Sequence, residues 1–332
     1  MSQNSLDLNG ITVLTEAASG NFVVTPVIAA AADAEKVWAI AADSMYGSKE
    51  QVKTFTISFA EFCGVSDRIE VVFNKSPDVL NSSQIVTNLG FVRPVNSDMI
   101  KHLNDGAVIP LMCEGWEFRS SDIDLKACRE KGIPVMGTDE DAAGETFNYV
   151  GFLCAKMIFN LEIEIYKSRI LIVGSDRFSS TVERWLTIMG ADTCRFNNLR
   201  EQNARIALDN ADCIVIADYK EPECIIGNDG QITAEELAGA VPGVSVIVLC
   251  GNVGCDEIKS CGLRVYPETR CETARMGQTL SLLGPKPVVY LHAAGLKVGE
   301  VMFKAKRQGL KGKEFEEFVV KNSPAQKIPD HF

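Results

Sequence analysis

The segment Ser168–Gly190, SRILIVGSDRFSSTVERWLTIMG, limits the possible folds more than any other part of the chain. An apolar run from Ile170 to Val173 stops at Gly174, and an amphipathic stretch ending at Gly190 follows. An extended run, a glycine turn and an amphipathic helix, in that order, open a βαβ unit whose turn can receive a dinucleotide pyrophosphate. Of the glycines in such a turn, G-x-G-x-x-G, only Gly174 is kept; Asp176 and Ser179 stand at the other two places. The scaffold of a nucleotide site is present, with an acid where a diphosphate would lie.

A length of 332 residues suggests about two domains. Short β-rich runs alternate with helical stretches, which predicts an α/β protein of two Rossmann-like domains with doubly wound parallel sheets. In residues 1–140, a substrate-type domain, strands are expected at Val37–Ala41, Ile69–Phe73, Gln84–Thr87, Ala107–Met112 and Ile133–Met136. Helices are expected at Lys49–Cys63, Ser97–Leu103 and Ser121–Lys131, the last stopped by Gly132. A long apolar linker helix is expected over 141–160. A nucleotide-binding domain over 165–308 then needs six strands: Arg169–Val173, Thr193–Phe196, Cys213–Ala217, Val244–Leu249, Leu263–Tyr266 and Pro287–His292. A helix is expected over Gly295–Gln308, and a tail of about 310–332, irregular from Ser323, is expected to return to the first domain.

The charge of −11 and the absence of a Lys/Arg run argue against nucleic acid; Lys304–Lys313 reads as a solvated helix end. The first residues lack a signal peptide's charged and apolar regions, and no apolar run is long enough to span a bilayer. Eleven cysteines without a C-x-x-C pair fit free thiols in a reducing cytoplasm. The group Cys250, Cys255, Cys261 and Cys271 matches no common metal spacing, so no metal is expected.

Several stretches resemble the D-isomer-specific 2-hydroxyacid dehydrogenases and the related S-adenosylhomocysteine hydrolases. DIDLKACREKGIPVMGT (Asp122–Thr138) is similar to the segment before their linker helix, and Ala143–Gly144–Glu145 to its opening. ADCIVIAD (Ala211–Asp218) resembles a Rossmann strand, GNVGCDEI (Gly251–Ile258) the hydrolases' N-x-G-x-x-D-x-E-I, and LHAAG (Leu291–Gly295) the dehydrogenases' P-H-x-A-G. The resemblance implies a nicotinamide cofactor, a homodimer, and His292 as catalytic acid/base. It also implies Glu268, about two dozen residues earlier, as the group that orients His292, with Glu272 as a competitor. Four features depart from the family: the glycines, the arginine expected before GNVGCDEI, the proline expected before His292, where Leu291 stands, and the acid expected after the second Rossmann strand.

The residues themselves support a further set of candidates. His292 is expected at the carboxyl end of a strand, where such folds bind ligands; the alternative is a hydrogen-bonded core histidine. His102 and His331 are expected to be inert. At the turn, Gly174, Ser175, Asp176, Arg177, Ser179 and Ser180 are the cofactor candidates, with Asn252 beyond them. Asp176 opposes a phosphate unless it points to solvent or caps the helix, and Arg177 could offset its charge. Arg195 and Asn197, with Asn198 and Arg200, suit a 2′-phosphate, which favours NADP over NAD. In the first domain, Asn88 and Arg93 on one loop and Glu114, Trp116 and Arg119 on another are substrate-binding candidates. The arginines would clamp a carboxylate, and the glutamates, Glu117 included, could instead hold an amine.

The first expectation is an NAD(P)-dependent oxidoreductase acting on a small polar carbonyl, imine, hydroxy acid or amino acid in a cleft between domains. The alternatives are a non-redox biosynthetic enzyme on the same scaffold, binding another adenosine-containing ligand or none, and a non-catalytic partner subunit.

Overall fold

Alternating apolar runs and amphipathic stretches form parallel sheets flanked by helices. The computed structural model describes residues 6–330, so His331 lies outside the described residues. One unit takes the chain to Thr146 and resumes at Gly284; the other spans Phe147–Leu283.

In the first unit, strands Ile69–Val72, Lys36–Ile40, Thr12–Glu16 and Ile85–Val86 lie side by side in that order, all parallel. A parallel bridge from Ile85 to Val108 continues the sheet to Ile109–Pro110 and Val135–Thr138. Counted along the chain, the order is 3-2-1-4-5-6, the doubly wound arrangement. The tail, expected to be irregular, instead adds Ala325–Gln326 as a short antiparallel edge strand. Thr12–Glu16 and the Val24–Ala31 helix are not singled out by the sequence pattern, yet this strand is central and buried along its length. Helix Leu125–Lys131 is shorter than expected because Asp124 caps it, and Gly132 ends it with φ +71°, as expected.

The main sheet of the second unit has five parallel strands, in the order Arg264–Tyr266, Ser245–Cys250, Cys213–Ala217, Arg169–Val173, Asp192–Phe196, and a separate parallel pair joins Cys224–Ile226 to Asn252–Val253. Numbered within the main sheet, the order is 2-1-3-4-5, the other common doubly wound order. The expected sixth strand, Pro287–His292, is instead part of a helix, Pro285–Arg307, which belongs to the first unit. The nucleotide-type unit therefore ends at Leu283 and not near 308. Proline in the first turn is preset for helix, and Val288, His292, Gly295, Gly299 and Met302 repeat at helical spacing. The linker helix is also shorter than expected, Tyr149–Asn160, because Gly144 and Glu145 take left-handed φ values of 87° and 58° that a helix cannot continue through. Among the described residues, no helix is long and apolar enough to cross a membrane.

The Pro285–Arg307 helix lies directly on the first sheet because two of its residues lack side chains. A Cβ on Gly295 would sit 2.1 Å from Met112 Sδ, and one on Gly299 would sit 2.9 Å from Pro110 Cγ and 3.0 Å from Ile85 Cγ2. Glu300, buried on the same helix, is neutralised by Lys297 at 2.9 Å and Lys304 at 2.6 Å and accepts the Asp7 N–H at 3.0 Å. Lys306, in the stretch expected to be solvated, donates to the carbonyls of Ala107 and Gly132. Replacing Gly299 with valine is expected to lower stability by about 2–3 kcal/mol, because Pro110 and Ile85 cannot rotate away. Denaturant unfolding of the two proteins measures the difference.

Candidate functional site

Open α/β sheets bind ligands where the strand order reverses, at the carboxyl ends of the two strands flanking the reversal. This chain has two such points. In the second unit the flanking strands are Arg169–Val173 and Cys213–Ala217, and the Gly174 turn sits between them. A Cβ on Gly174 would lie 2.1 Å from the Ala217 carbonyl oxygen, so glycine is required there by the neighbouring backbone alone.

Asp176 caps the Arg177–Ile188 helix. Its Oδ1 accepts the N–H groups of Phe178 at 2.8 Å and Ser179 at 3.4 Å, and its Oδ2 accepts that of Tyr219 at 2.7 Å. Asp218, 5% exposed, accepts the Ser175 N–H at 3.1 Å and its hydroxyl at 3.2 Å. The backbone donors that a pyrophosphate would use are thus held by the chain's own carboxylates. Both acids titrate above the ordinary carboxylate range, chiefly through burial, and for Asp176 the neighbouring Asp218 adds to the shift. Phe178 stacks on Tyr219 at 5.0 Å and packs against Phe147 at 5.1 Å, filling the space behind the turn. The Ser179 hydroxyl donates to the Asp176 carbonyl and that of Ser180 to the Arg177 carbonyl. The Arg177 guanidinium lies 4.1 Å over the Phe147 ring. A pyrophosphate at this turn would meet two carboxylates, which already hold the N–H groups of Ser175, Phe178, Ser179 and Tyr219.

The other cofactor candidates are also engaged. Arg195 pairs with Glu183 at 2.8 Å, Arg200 pairs with Glu223, and the Asn197 N–H donates to Glu201. Asn252 bridges Arg270 and the Pro222 carbonyl. The strand-end position expected for His292 is corrected: it lies within a helix, 3% exposed, with Nδ1 and Thr25 Oγ1 2.5 Å apart and the Phe22 ring beside it. Burial lowers its pKa from 6.5 to about 4, so near neutral pH it is an uncharged core histidine. Glu268 is exposed in the second unit, and the residue hydrogen-bonded to the His292 Nδ1 is Thr25. His102 is exposed at the end of its helix. Among the described residues, no group of three His, Cys, Asp or Glu side chains is placed to hold a metal ion.

The first unit's reversal point lies between Thr12–Glu16 and Ile85–Val86, and it differs in kind. The Glu16 carboxyl lies against Gly90: a Cβ on that glycine would fall 1.7 Å from Glu16 Oε2. Glu16 is 8% exposed, and among the described residues its side chain makes neither a hydrogen bond nor an ion pair. Burial raises its pKa from 4.5 to about 7, and Arg93 pulls the other way. The neighbouring groups have partners. The Thr87 hydroxyl donates to that of Thr15 at 3.0 Å, and Asn88 accepts the Met112 N–H and donates to the Cys113 sulfur. Arg93 and Arg119, expected to clamp a substrate carboxylate, both bind Asp122 Oδ2, at 3.1 and 2.9 Å. Lys75 fixes the Arg93 loop by donating to three successive carbonyls, Val92, Arg93 and Pro94. Glu114 is fully buried, accepts the Glu140 N–H and donates its own N–H to Glu117; Trp116 is half-buried in the same turn. Burial raises the Cys113 thiol pKa, and the nearby Glu117 adds to the rise. The sequence reading missed Glu16 because it missed the strand that ends there.

No protein-family model and no curated protein sequence matches the chain. Solved structures do. A dipicolinate synthase chain from Bacillus halodurans is 12% identical, over 90% of this chain and 98% of that one, with a TM-score of 0.52. Its counterpart from Bacillus subtilis is 10% identical, over 91% and 98%, with a TM-score of 0.51. The chain shares the fold of these proteins. At these identities the likeness is one of architecture alone. It agrees with the two-domain, Rossmann-type resemblance read from the motifs and assigns no chemistry.

Glu16 makes stability depend on pH in a definite direction. Its carboxyl binds a proton more tightly when folded than when unfolded. The stability it contributes is therefore full below pH 4.5 and lost as pH rises through about 7. The shift corresponds to about 3 kcal/mol. A Glu16→Gln variant is expected to match the parent near the low end of that window and to exceed it by roughly 2–3 kcal/mol above the high end. Denaturant melts of both proteins across the window measure this; an equal gap at every pH would refute it.

Proposed function

We propose that this protein binds and acts on a small polar metabolite without a resident nicotinamide dinucleotide, on a scaffold shared with dehydrogenases. The observation that carries this reading is the Asp176 carboxylate, which accepts the N–H groups of Phe178, Ser179 and Tyr219 at the turn where a pyrophosphate would bind. Asp218 supports it by holding Ser175 in the same way. The burial of His292 and its bond to Thr25 support this reading over hydride transfer, which relied on that histidine as acid/base. A partner subunit without a ligand is the weaker reading, because Glu16 places a carboxyl without a hydrogen bond among the described residues at the first unit's strand reversal, where this class of sheet takes ligands.

Titration with NADPH and NADH, followed by nicotinamide fluorescence and thermal shift, tests the reading directly. No saturable binding is expected up to about 1 mM, a free energy near −4 kcal/mol. Micromolar binding of either would restore the oxidoreductase. In the paired variant Asp176→Gly, Asp218→Ser, the freed N–H groups are expected to bring at least a roughly tenfold gain in dinucleotide affinity, or about 1.4 kcal/mol. No gain would mean that the Phe178–Tyr219 stack, and not the carboxylates, closes the turn.

A further inference from the structure

We propose that the carboxyl of Glu16 receives the protonated amine of a small ligand at the strand reversal of the first unit. Three observations support this. The carboxyl is more than nine-tenths buried and unpartnered among the described residues, at the one place in this sheet where the strand order turns back. It lies directly against Gly90: a Cβ at residue 90 would fall 1.7 Å from Glu16 Oε2 and displace the carboxyl. The groups that follow the flanking strands are committed to one another, Thr15 to Thr87, Asn88 to Met112 and Cys113, and Arg93 to Asp122, whereas the Glu16 side chain accepts no hydrogen bond among the described residues.

Charge selects the ligand class. At the carboxyl ends of the strands of this sheet and on the loops that follow them, the acids Glu16, Glu114, Glu117, Asp122 and Glu140 outnumber the bases Lys75, Arg93 and Arg119. Arg93 is the charged group that acts on Glu16, and its guanidinium is shared with Asp122. An incoming anion would meet an excess of carboxylates, whereas an ammonium group would gain an ion pair with hydrogen bonds to the Glu16 carboxyl. An amine bound there would also hold Glu16 ionised near neutral pH, reversing the effect of burial. This rests on the reading above only in placing the ligand in the first unit. A dinucleotide bound in the second unit would leave it intact, so the two fail separately.

The test uses the full chain and n-butylammonium chloride as probe, with n-butanol and butyrate as uncharged and anionic controls of similar size. At about pH 8, where Glu16 is ionised, calorimetry is expected to show saturable binding of butylammonium and none of the controls. Lowering the pH to about 5.5 is expected to weaken that binding at least tenfold, and Glu16→Gln to weaken it by a similar factor. Absence of saturable butylammonium binding up to about 100 mM, or equal binding by parent and variant, overturns the proposal. A second measurement needs no variant. In protein carrying 13C-carboxyl glutamate, the titration of the Glu16 carboxyl should shift to lower pH when butylammonium is added. An unmoved titration would equally overturn it.

Discussion

The second unit is organised around the Asp176 carboxylate. A helix N-terminus presents unbonded N–H groups and a partial positive charge, and some anion or hydrogen-bond acceptor must answer them. Here the answer is internal. One oxygen caps the Arg177–Ile188 helix, and the other crosses to the Tyr219 N–H at the end of the neighbouring strand. That second bond fixes the exit of Cys213–Ala217 against the turn and sets the Tyr219 ring parallel to Phe178. Gly174 belongs to the same arrangement, since the approach of the Ala217 carbonyl excludes a Cβ. The retained glycine is therefore explained by the crossing of two backbone segments, with no phosphate required.

Much of this unit was legible from the chain. The strand, glycine and amphipathic helix at Ser168–Gly190 are where the pattern placed them, and strand Cys213–Ala217 agrees to the residue. The conflict between Asp176 and a phosphate was legible too, because like charges repel whatever the fold. The destination of the second oxygen was not, because its donor, Tyr219, lies 43 residues further on and is brought there only by the sheet. Strand Thr12–Glu16 was missed for a related reason. TVLTE looks half polar, but as a central strand it is buried on both faces, and its Thr15 hydroxyl is satisfied by Thr87, 72 residues away. Missing the strand also concealed Glu16 and the reversal point.

The segment PKPVVYLHAAG shows how a motif can keep its letters and change its meaning. Val288, Val289 and Tyr290 favour a strand by local propensity, and a histidine followed by Ala-Ala-Gly resembles a catalytic sequence. Tertiary packing decides otherwise. Gly295 and Gly299 lie on the face that meets Met112, Pro110 and Ile85, and their small size lets the helix sit close to the strands. His292 falls on the same face and becomes a core residue bonded to Thr25. The helical spacing of the buried positions was visible in the sequence, but it extends over some four turns and is easily overridden by three strand-forming residues at its start.

Glu16 and His292 are two buried titratable groups of the same unit, and they obey opposite rules. His292 is neutral near pH 7, has Thr25 as a partner, and loses its stabilising contribution only as pH falls from 6.5 through about 4. Glu16 accepts no hydrogen bond among the described residues and destabilises the fold progressively as pH rises from 4.5 through about 7. In the second unit, by contrast, both acids at the strand reversal are bonded to N–H groups. A chain that satisfies Asp176 and Asp218 so fully has no difficulty in burying carboxyls with partners. One left without a partner at the equivalent point of the other sheet conflicts with its local surroundings, and such conflicts collect where a protein meets its ligand. The pairing that Glu16 lacks within the chain is the one an external cation would complete.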